Sequence, residues 1–260
     1  MLDVAATIDA LVEHPAETAL LTDYDGSLSP IVDRPDDAVP LPAALDALAA
    51  LVGRLGRVGV VSGRPVEFLA ALVPVDGLVL AGLYGMETMI GGVRRVDARV
   101  EPFLDAVARA SDDADSQLPA IIVERKAGVS VTLHWRVAPD REREVLDVAA
   151  DLARRYGLRE LRTRYAVELR PPVAIDKGTV IDTLVDGFSV ASFAGDDTGD
   201  LAAFEALSRA RADGRITRAV RIGVRSPEMP AALPDAVDCL VDGPAGLVEL
   251  LTGVARALDQ

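Results

Sequence analysis

One cysteine, Cys239, and two histidines, His14 and His134, are the only thiol and imidazole groups in this 260-residue chain. A lone cysteine excludes an internal disulfide framework and suits a reducing compartment. So few imidazoles leave no basis for a multi-histidine zinc site, and any bound metal must rely on oxygen ligands, which points to magnesium. No apolar run approaches the roughly 18 uninterrupted residues of a membrane span. The first residues carry Asp3 and Asp9 instead of a basic cluster, so no secretory signal is expected. Basic stripes are missing too, and the net charge of -14 repels polyanions. Nucleic acid and membranes are therefore excluded as partners, and the expectation is a cytoplasmic monomer acting on a small molecule. An anionic substrate would need local cations and a metal to overcome that field; Arg64, Lys126, Arg136 and Lys177 are the candidates.

What the chain has in quantity is apolar surface, at 50% hydrophobic residues, enough for a large core with a smaller domain beside it. Short apolar runs ending at positions 22 and 61, and spanning 78–81, 189–194, 220–224 and 239–241, alternate with helical stretches. Pro42 and Pro65 each open a helix, and apolar residues recur at helical spacing over 201–207 and 247–255. That alternation predicts an α/β fold with a doubly wound, Rossmann-like parallel sheet. The middle reads differently, with helices over 100–110 and 141–156, short strands at 121–124, 129–133, 161–163 and 166–169, and a polar loop over 111–119. It is expected to be an inserted α+β unit, residues 88–170, within a core formed by 1–87 and 171–260.

Four segments carry chemistry. Asp23-Tyr24-Asp25-Gly26 follows the apolar run Ala19-Leu20-Leu21, so its carboxylates stand at a strand's carboxyl end, where open α/β sheets place ligands. Positions 23 and 25 share one side of an extended chain; one carboxylate can attack while the other moves protons, and the two are close enough to share a divalent cation. Ser62-Gly63-Arg64 precedes the Pro65 helix, offering a hydroxyl, backbone amides and a helix N-terminus to a phosphoryl oxygen. Lys177 opens a helix against its dipole, a placement that suits neutralising charge built up in a transition state. Asp196, Asp197 and Asp200 follow the run ending at Ala194 and would complete an oxygen-ligand metal site.

In this order the four segments resemble the haloacid dehalogenase-like phosphohydrolases. That resemblance implies that Asp23 attacks phosphorus and Asp25 protonates the leaving alkoxide and later activates water. Ser62 and Lys177, with Gly63 and Arg64 beside them, would hold the substrate's phosphoryl end. Asp23, Asp25, Asp196 and Asp200 would form the magnesium site, Asp25 through its backbone carbonyl and Asp200 in support.

Further segments, among them Gly82-Leu83-Tyr84-Gly85, Glu124-Arg125-Lys126, His134-Trp135-Arg136 and Glu168-Leu169-Arg170-Pro171, are similar to the trehalose-6-phosphate phosphatase family. Here the inserted unit would be a cap setting substrate specificity, with Glu124, Lys126, Arg136 and Glu168 binding the sugar phosphate. Tyr84 and Trp135 replace a histidine and a tyrosine of the common family pattern, and Thr198-Gly199-Asp200-Leu201-Ala202 has two fewer carboxylates. Hydrolysis of trehalose 6-phosphate through an aspartyl phosphate is the implied activity. Another disaccharide or pseudo-disaccharide phosphate, and phosphoryl transfer between sugars, remain open alternatives.

Overall fold

The computed structural model describes residues 2–32, 37–163, 165–227 and 229–260. It divides into a larger unit, Met1–Arg95 with Ile175–Gln260, and a smaller one, Val96–Ala174. The first part of the chain forms α1 (Val4–Val12), β1 (Thr18–Thr22), α2 (Pro42–Leu51), β2 (Arg57–Val61), α3 (Val66–Leu72), β3 (Val79–Gly82), β4 (Glu87–Ile90) and β5 (Val93–Val96). The middle forms α4 (Leu104–Gln117), β6 (Ile122–Lys126), β7 (Ser130–His134), α5 (Glu142–Tyr156), β8 (Arg159–Thr163) and β9 (Ala166–Arg170). The remainder forms α6 (Lys177–Leu184), β10 (Val190–Gly195), α7 (Asp200–Ala212), β11 (Arg218–Val224), α8 (Leu233–Ala236), β12 (Cys239–Val241) and α9 (Gly243–Ala257). Among the described residues no helix is long and apolar enough to cross a membrane.

The larger sheet runs β12-β11-β10-β1-β2-β3-β4-β5. Its pairings are parallel from β12 through β3, and β4 joins β3 antiparallel. β1 is buried at all five positions, as a strand covered on both faces requires. Alternate side chains feed two cores: Leu20, Val58, Val60 and Ile222 meet α2, α3 and α9, while Leu21, Val61, Ala191 and Phe193 meet α6 and α7. Phe193 packs edge-on to Phe204 with ring centroids 5.7 Å apart; aromatic pairs of this kind add about 0.5–1.5 kcal/mol beyond their burial. The order of winding reverses between the parallel neighbours β1 and β10, so the connections that leave their carboxyl ends diverge and open a crevice there.

The units divide at 95/96 and 174/175, a few residues from the 87/88 and 170/171 boundaries expected. The reason at the first junction is the β4–β5 hairpin, which extends the larger sheet beyond β3. Gly91 and Gly92, both with positive φ, form its two-residue turn, the conformation that matches the twist of a tight hairpin. The Glu87 carboxylate is fully buried there, accepting from the Val66 backbone N–H at 2.8 Å and from Arg94 at 2.6 Å. This ties the hairpin to the first turn of α3.

In the smaller unit the sheet order is β6-β7-β9-β8, antiparallel throughout. Val131, Leu133, Val167 and Leu169 point to one face and pack with Val107, Ala110 and Ala114 of α4 and with Val145, Ala149 and Leu152 of α5. The polar loop expected over 111–119 is largely helix, since α4 continues to Gln117. Its acidic residues lie off the buried stripe of Val107, Ala110, Ser111 and Ala114, which keeps helical spacing, and Asp113 accepts from Tyr156 and Arg155.

Candidate active site at the carboxyl edge of the larger sheet

Parallel pairing sets the site. Thr22 of β1 is aligned with Ala194 of β10 and with Val60 of β2, so the residues just beyond these strands, Asp23, Asp196 and Ser62, emerge along one edge. The Asp23 backbone N–H donates to Ala194 O at 2.7 Å, continuing the ladder one step past the strand. Lys177 begins α6, whose N-cap Asp176 accepts from Thr179 N at 2.8 Å. Its ammonium lies 2.8 Å from Asp23 Oδ1 and 2.6 Å from Asp200 Oδ1, with all three residues buried. These carboxylates offset the unfavourable position of a cation at a helix N-terminus.

Asp200 is itself held on both oxygens. Its Oδ2 accepts from the backbone N–H of Asp196 at 2.7 Å and of Asp197 at 3.0 Å. Asp197 in turn accepts from Asp200 N at 3.1 Å, so the acidic loop closes on itself and fixes Asp196. Asp23, Asp196 and Asp200 bring carboxylate oxygens within 4.8 Å of one another.

Burial sets the protonation behaviour of this cluster. Desolvation pushes Asp196 up to about 7, with Asp200 and Asp197 adding repulsion. Asp23 and Asp200 are also raised, first by burial, with Lys177 opposing the effect. Lys177 is raised despite desolvation, because Asp23, Asp200 and Asp197 outweigh it, and it stays charged.

Two observations fit a divalent cation here. Asp196 Oδ2 is buried with no hydrogen-bond partner, an expensive state for a carboxylate oxygen. Gly26 has φ of +79°, and a Cβ there would stand 2.2 Å from that same oxygen; the glycine leaves the approach to Asp196 open. Hard carboxylate oxygens of this kind match a hard cation.

Asp25 does not join the acidic cluster. Its Oδ2 and Oδ1 accept from Arg64 Nε and a terminal guanidinium nitrogen, each at 2.7 Å, and Arg64 lies over the rings of Phe68 and Tyr24 at 4.6 and 5.4 Å. The shared-cation reading of positions 23 and 25 therefore does not extend to the Asp25 side chain, because the chain leaves the extended conformation after Asp23 and the turn delivers that carboxylate to the loop after β2. Ser62 is buried; its Oγ accepts from Arg64 N at 3.2 Å, which leaves the hydroxyl proton free to donate. At Gly63 a Cβ would lie 2.7 Å from the Tyr84 ring. Leu83 and Tyr84 both hold positive φ, a strained loop that seats the tyrosine against this turn.

In the smaller unit, Glu124, Thr132 and Glu168 form one rung across β6, β7 and β9, on the sheet face opposite the helices. Lys126 Nζ lies 3.8 Å from Glu168 Oε1, and Ser130 Oγ donates to that oxygen at 2.5 Å. Glu124 pairs with His134 at 2.8 Å. Arg136 is not brought to this group: it is exposed beyond β7, 5.5 Å from the Tyr165 ring centroid.

The family model for trehalose-phosphatase matches residues 21–230. The chain belongs to the trehalose-phosphatase family. A trehalose-phosphate phosphatase of Mycobacterium leprae is 32% identical over 258 residues, 93% of this chain and 58% of the relative. An uncharacterized glycosyl hydrolase of Mycobacterium tuberculosis is 34% identical over 203 residues, covering 73% of this chain and 15% of its own length. The chain thus spans between about a seventh and three fifths of these two relatives. A solved trehalose-6-phosphate phosphatase related protein superposes with a TM-score of 0.73 at 25% identity, over 92% of this chain and 98% of the other.

Sequence reasoning missed Gly26 as a steric partner of Asp196, Tyr84 as the neighbour of Gly63, and Ser130 and Thr132 on the smaller sheet. Gly26 carried a signal, since a glycine directly after two candidate catalytic carboxylates often marks close approach. The two hydroxyls carried none beyond their alternation with Val131 and Leu133.

Proposed function

We propose that the chain is a magnesium-dependent phosphatase that hydrolyses trehalose 6-phosphate to trehalose and phosphate through an aspartyl phosphate on Asp23. The observation that carries this reading is the buried contact of Lys177 with Asp23 beside the partnerless oxygen of Asp196: a nucleophile, a fixed cation and a place for a second one at a single strand edge.

Asp23 attacks phosphorus, and the bond from phosphorus to the sugar oxygen breaks. Asp25, in its acid form, gives the departing alkoxide its proton. Asp25 then takes a proton from water as the water oxygen attacks phosphorus, releasing phosphate and regenerating the Asp23 carboxylate. Lys177 and the Ser62 hydroxyl hold the phosphoryl oxygens, on which negative charge is concentrated. Arg64 exchanges the Asp25 carboxylate for the substrate's phosphoryl group, freeing Asp25 for proton transfer. Asp23 and Asp196 would hold Mg2+, with Asp200 fixing the loop and Lys177; when bound, the metal supplies positive charge to offset that of the phosphoryl group. Glu124, Lys126 and Glu168 recognise sugar hydroxyls, since carboxylates accept from vicinal hydroxyls and a lysine donates to them.

A phosphate-release screen over disaccharide and monosaccharide phosphates with magnesium tests the reading. Trehalose 6-phosphate should give the highest kcat/KM, with equimolar phosphate and free sugar. Preference for another sugar phosphate would overturn the substrate, and a phosphorylated sugar product in place of free phosphate would overturn hydrolysis.

A further inference from the structure

Thr132 lies at the centre of the rung Glu124–Thr132–Glu168 in the smaller unit. It is 4% exposed, and its Oγ1 is buried without a hydrogen-bond partner. Hydroxyls in strands usually find a partner, and an unsatisfied one is a standing cost to the folded state. Valine would occupy the same space without that cost.

The register places charged residues on both sides of the hydroxyl, Glu124 on β6 and Glu168 on β9. Lys126 stands opposite Ser130, and Glu168 stands opposite Thr132 on the other flanking strand. Directly opposed residues of antiparallel strands share a face. The contact between Lys126 Nζ and Glu168 Oε1, at 3.8 Å, therefore bridges over β7 between Ser130 and Thr132. At that separation the two charges attract but share no direct hydrogen bond, so little holds them together. Ser130 Oγ, by contrast, donates to Glu168 at 2.5 Å, which leaves Thr132 the unanchored hydroxyl of the pair.

We propose that Thr132 is a specificity-determining residue, covered by the Lys126–Glu168 pair in the free protein and uncovered when a polyol takes both charged groups as partners. A sugar with neighbouring hydroxyls can bond to Lys126 and Glu168 together, parting them and placing one of its own hydroxyls against Thr132 Oγ1. The ligand class is a polyhydroxylated sugar phosphate. The inference rests on the reading of this face as the sugar-recognising one. A site that satisfies a buried polar group only with the right substrate hydroxyl discriminates strongly against analogues lacking it.

The experiment compares wild type, Thr132→Val and Thr132→Ser on trehalose 6-phosphate and on p-nitrophenyl phosphate, alongside thermal unfolding without substrate. Thr132→Val should unfold at the wild-type temperature or above it, yet lose about tenfold in kcat/KM on trehalose 6-phosphate, with the generic ester unchanged. Thr132→Ser, which keeps the hydroxyl, should stay within about threefold of wild type on both. If Thr132→Val keeps wild-type kcat/KM on the sugar phosphate, or loses equally on both substrates, the proposal is overturned. Should wild type itself prefer another sugar phosphate, the substrate reading fails separately, and the same comparison on the preferred sugar decides the role of Thr132.

Discussion

Arg64 grips both oxygens of Asp25, at 2.7 Å each, from the turn that also carries Ser62. Asp23, two residues earlier, instead meets Lys177. Two carboxylates separated by one residue thus face different cations, as the different parts proposed for them require. The Asp25 side chain is 42% exposed, so its ion pair is in contact with water, whereas the Asp23 contact is enclosed.

Asp23→Asn should abolish phosphate release altogether. Asp25→Asn should still form a covalent phosphoenzyme from an ester with a good leaving group, with turnover lower by about 10² to 10⁴, the usual worth of general acid–base help. Acid quench followed by mass measurement of the phosphorylated peptide distinguishes the two. A phosphorylated residue other than Asp23 would refute the nucleophile assignment.

Asp196 makes the metal-free protein pH-sensitive in a defined direction. Its carboxyl is raised from 3.8 to about 7 by burial, so between those values the folded state holds more protons than the unfolded one, and this group's contribution to stability falls as pH rises. Below that window the effect vanishes; above it the penalty is complete. Unfolding temperatures in excess chelator should therefore lose ground from about pH 4 to about pH 7, and Asp196→Asn should lessen the dependence, leaving the part that the raised Asp23 and Asp200 carboxyls contribute. Added magnesium needs the charged form, so its stabilisation should be larger at the higher pH.

Gly26→Ala should impair metal binding. A Cβ at this position would meet Asp196 Oδ2 at 2.2 Å on a backbone with φ of +79°, so the carboxylate must shift and the backbone strains, at about 1 kcal/mol or more. Calorimetric titration with magnesium should show weakened binding, and activity should recover only in part at high metal. Unchanged affinity would separate Gly26 from the metal site.

Alanine at Glu124, Lys126 or Glu168 should lower kcat/KM for trehalose 6-phosphate about tenfold to a hundredfold, the worth of a hydrogen bond to a charged group. Hydrolysis of p-nitrophenyl phosphate should hold. Parallel losses on both esters would assign these residues to the fold or to the chemistry.

The strands of the larger sheet were legible because burial on both faces makes them continuous apolar runs, each stopping at the loop that bears a polar motif: Thr22 before Asp23, Val61 before Ser62. The β4–β5 hairpin was not, since Ile90 and Val93 are exposed and the strands beside them mix charge with apolar residues. The extension of α4 through Asp112 and Asp113 was hidden because composition suggested a loop, while the buried positions Ser111 and Ala114 are small and only one is apolar. The Arg64–Asp25 pair and the approach of Gly26 to Asp196 span 39 and about 170 residues of sequence. Such contacts follow from strand order, which local pattern does not encode.

The alignment of Thr22 with Ala194 also dictates when the catalytic edge can exist during synthesis. Asp23 leaves the ribosome before the neighbour that completes its ladder, β10, which emerges only after the whole inserted unit has been made. At about 5–20 residues per second this interval lasts roughly ten to thirty seconds or so, and throughout it one flank of β1 lacks its native partner. The smaller unit, whose strands pair within residues 122–170, has time to close first. Closure of so long a loop is intrinsically slow, so the acidic pocket cannot form until the chain has been made through Asp200.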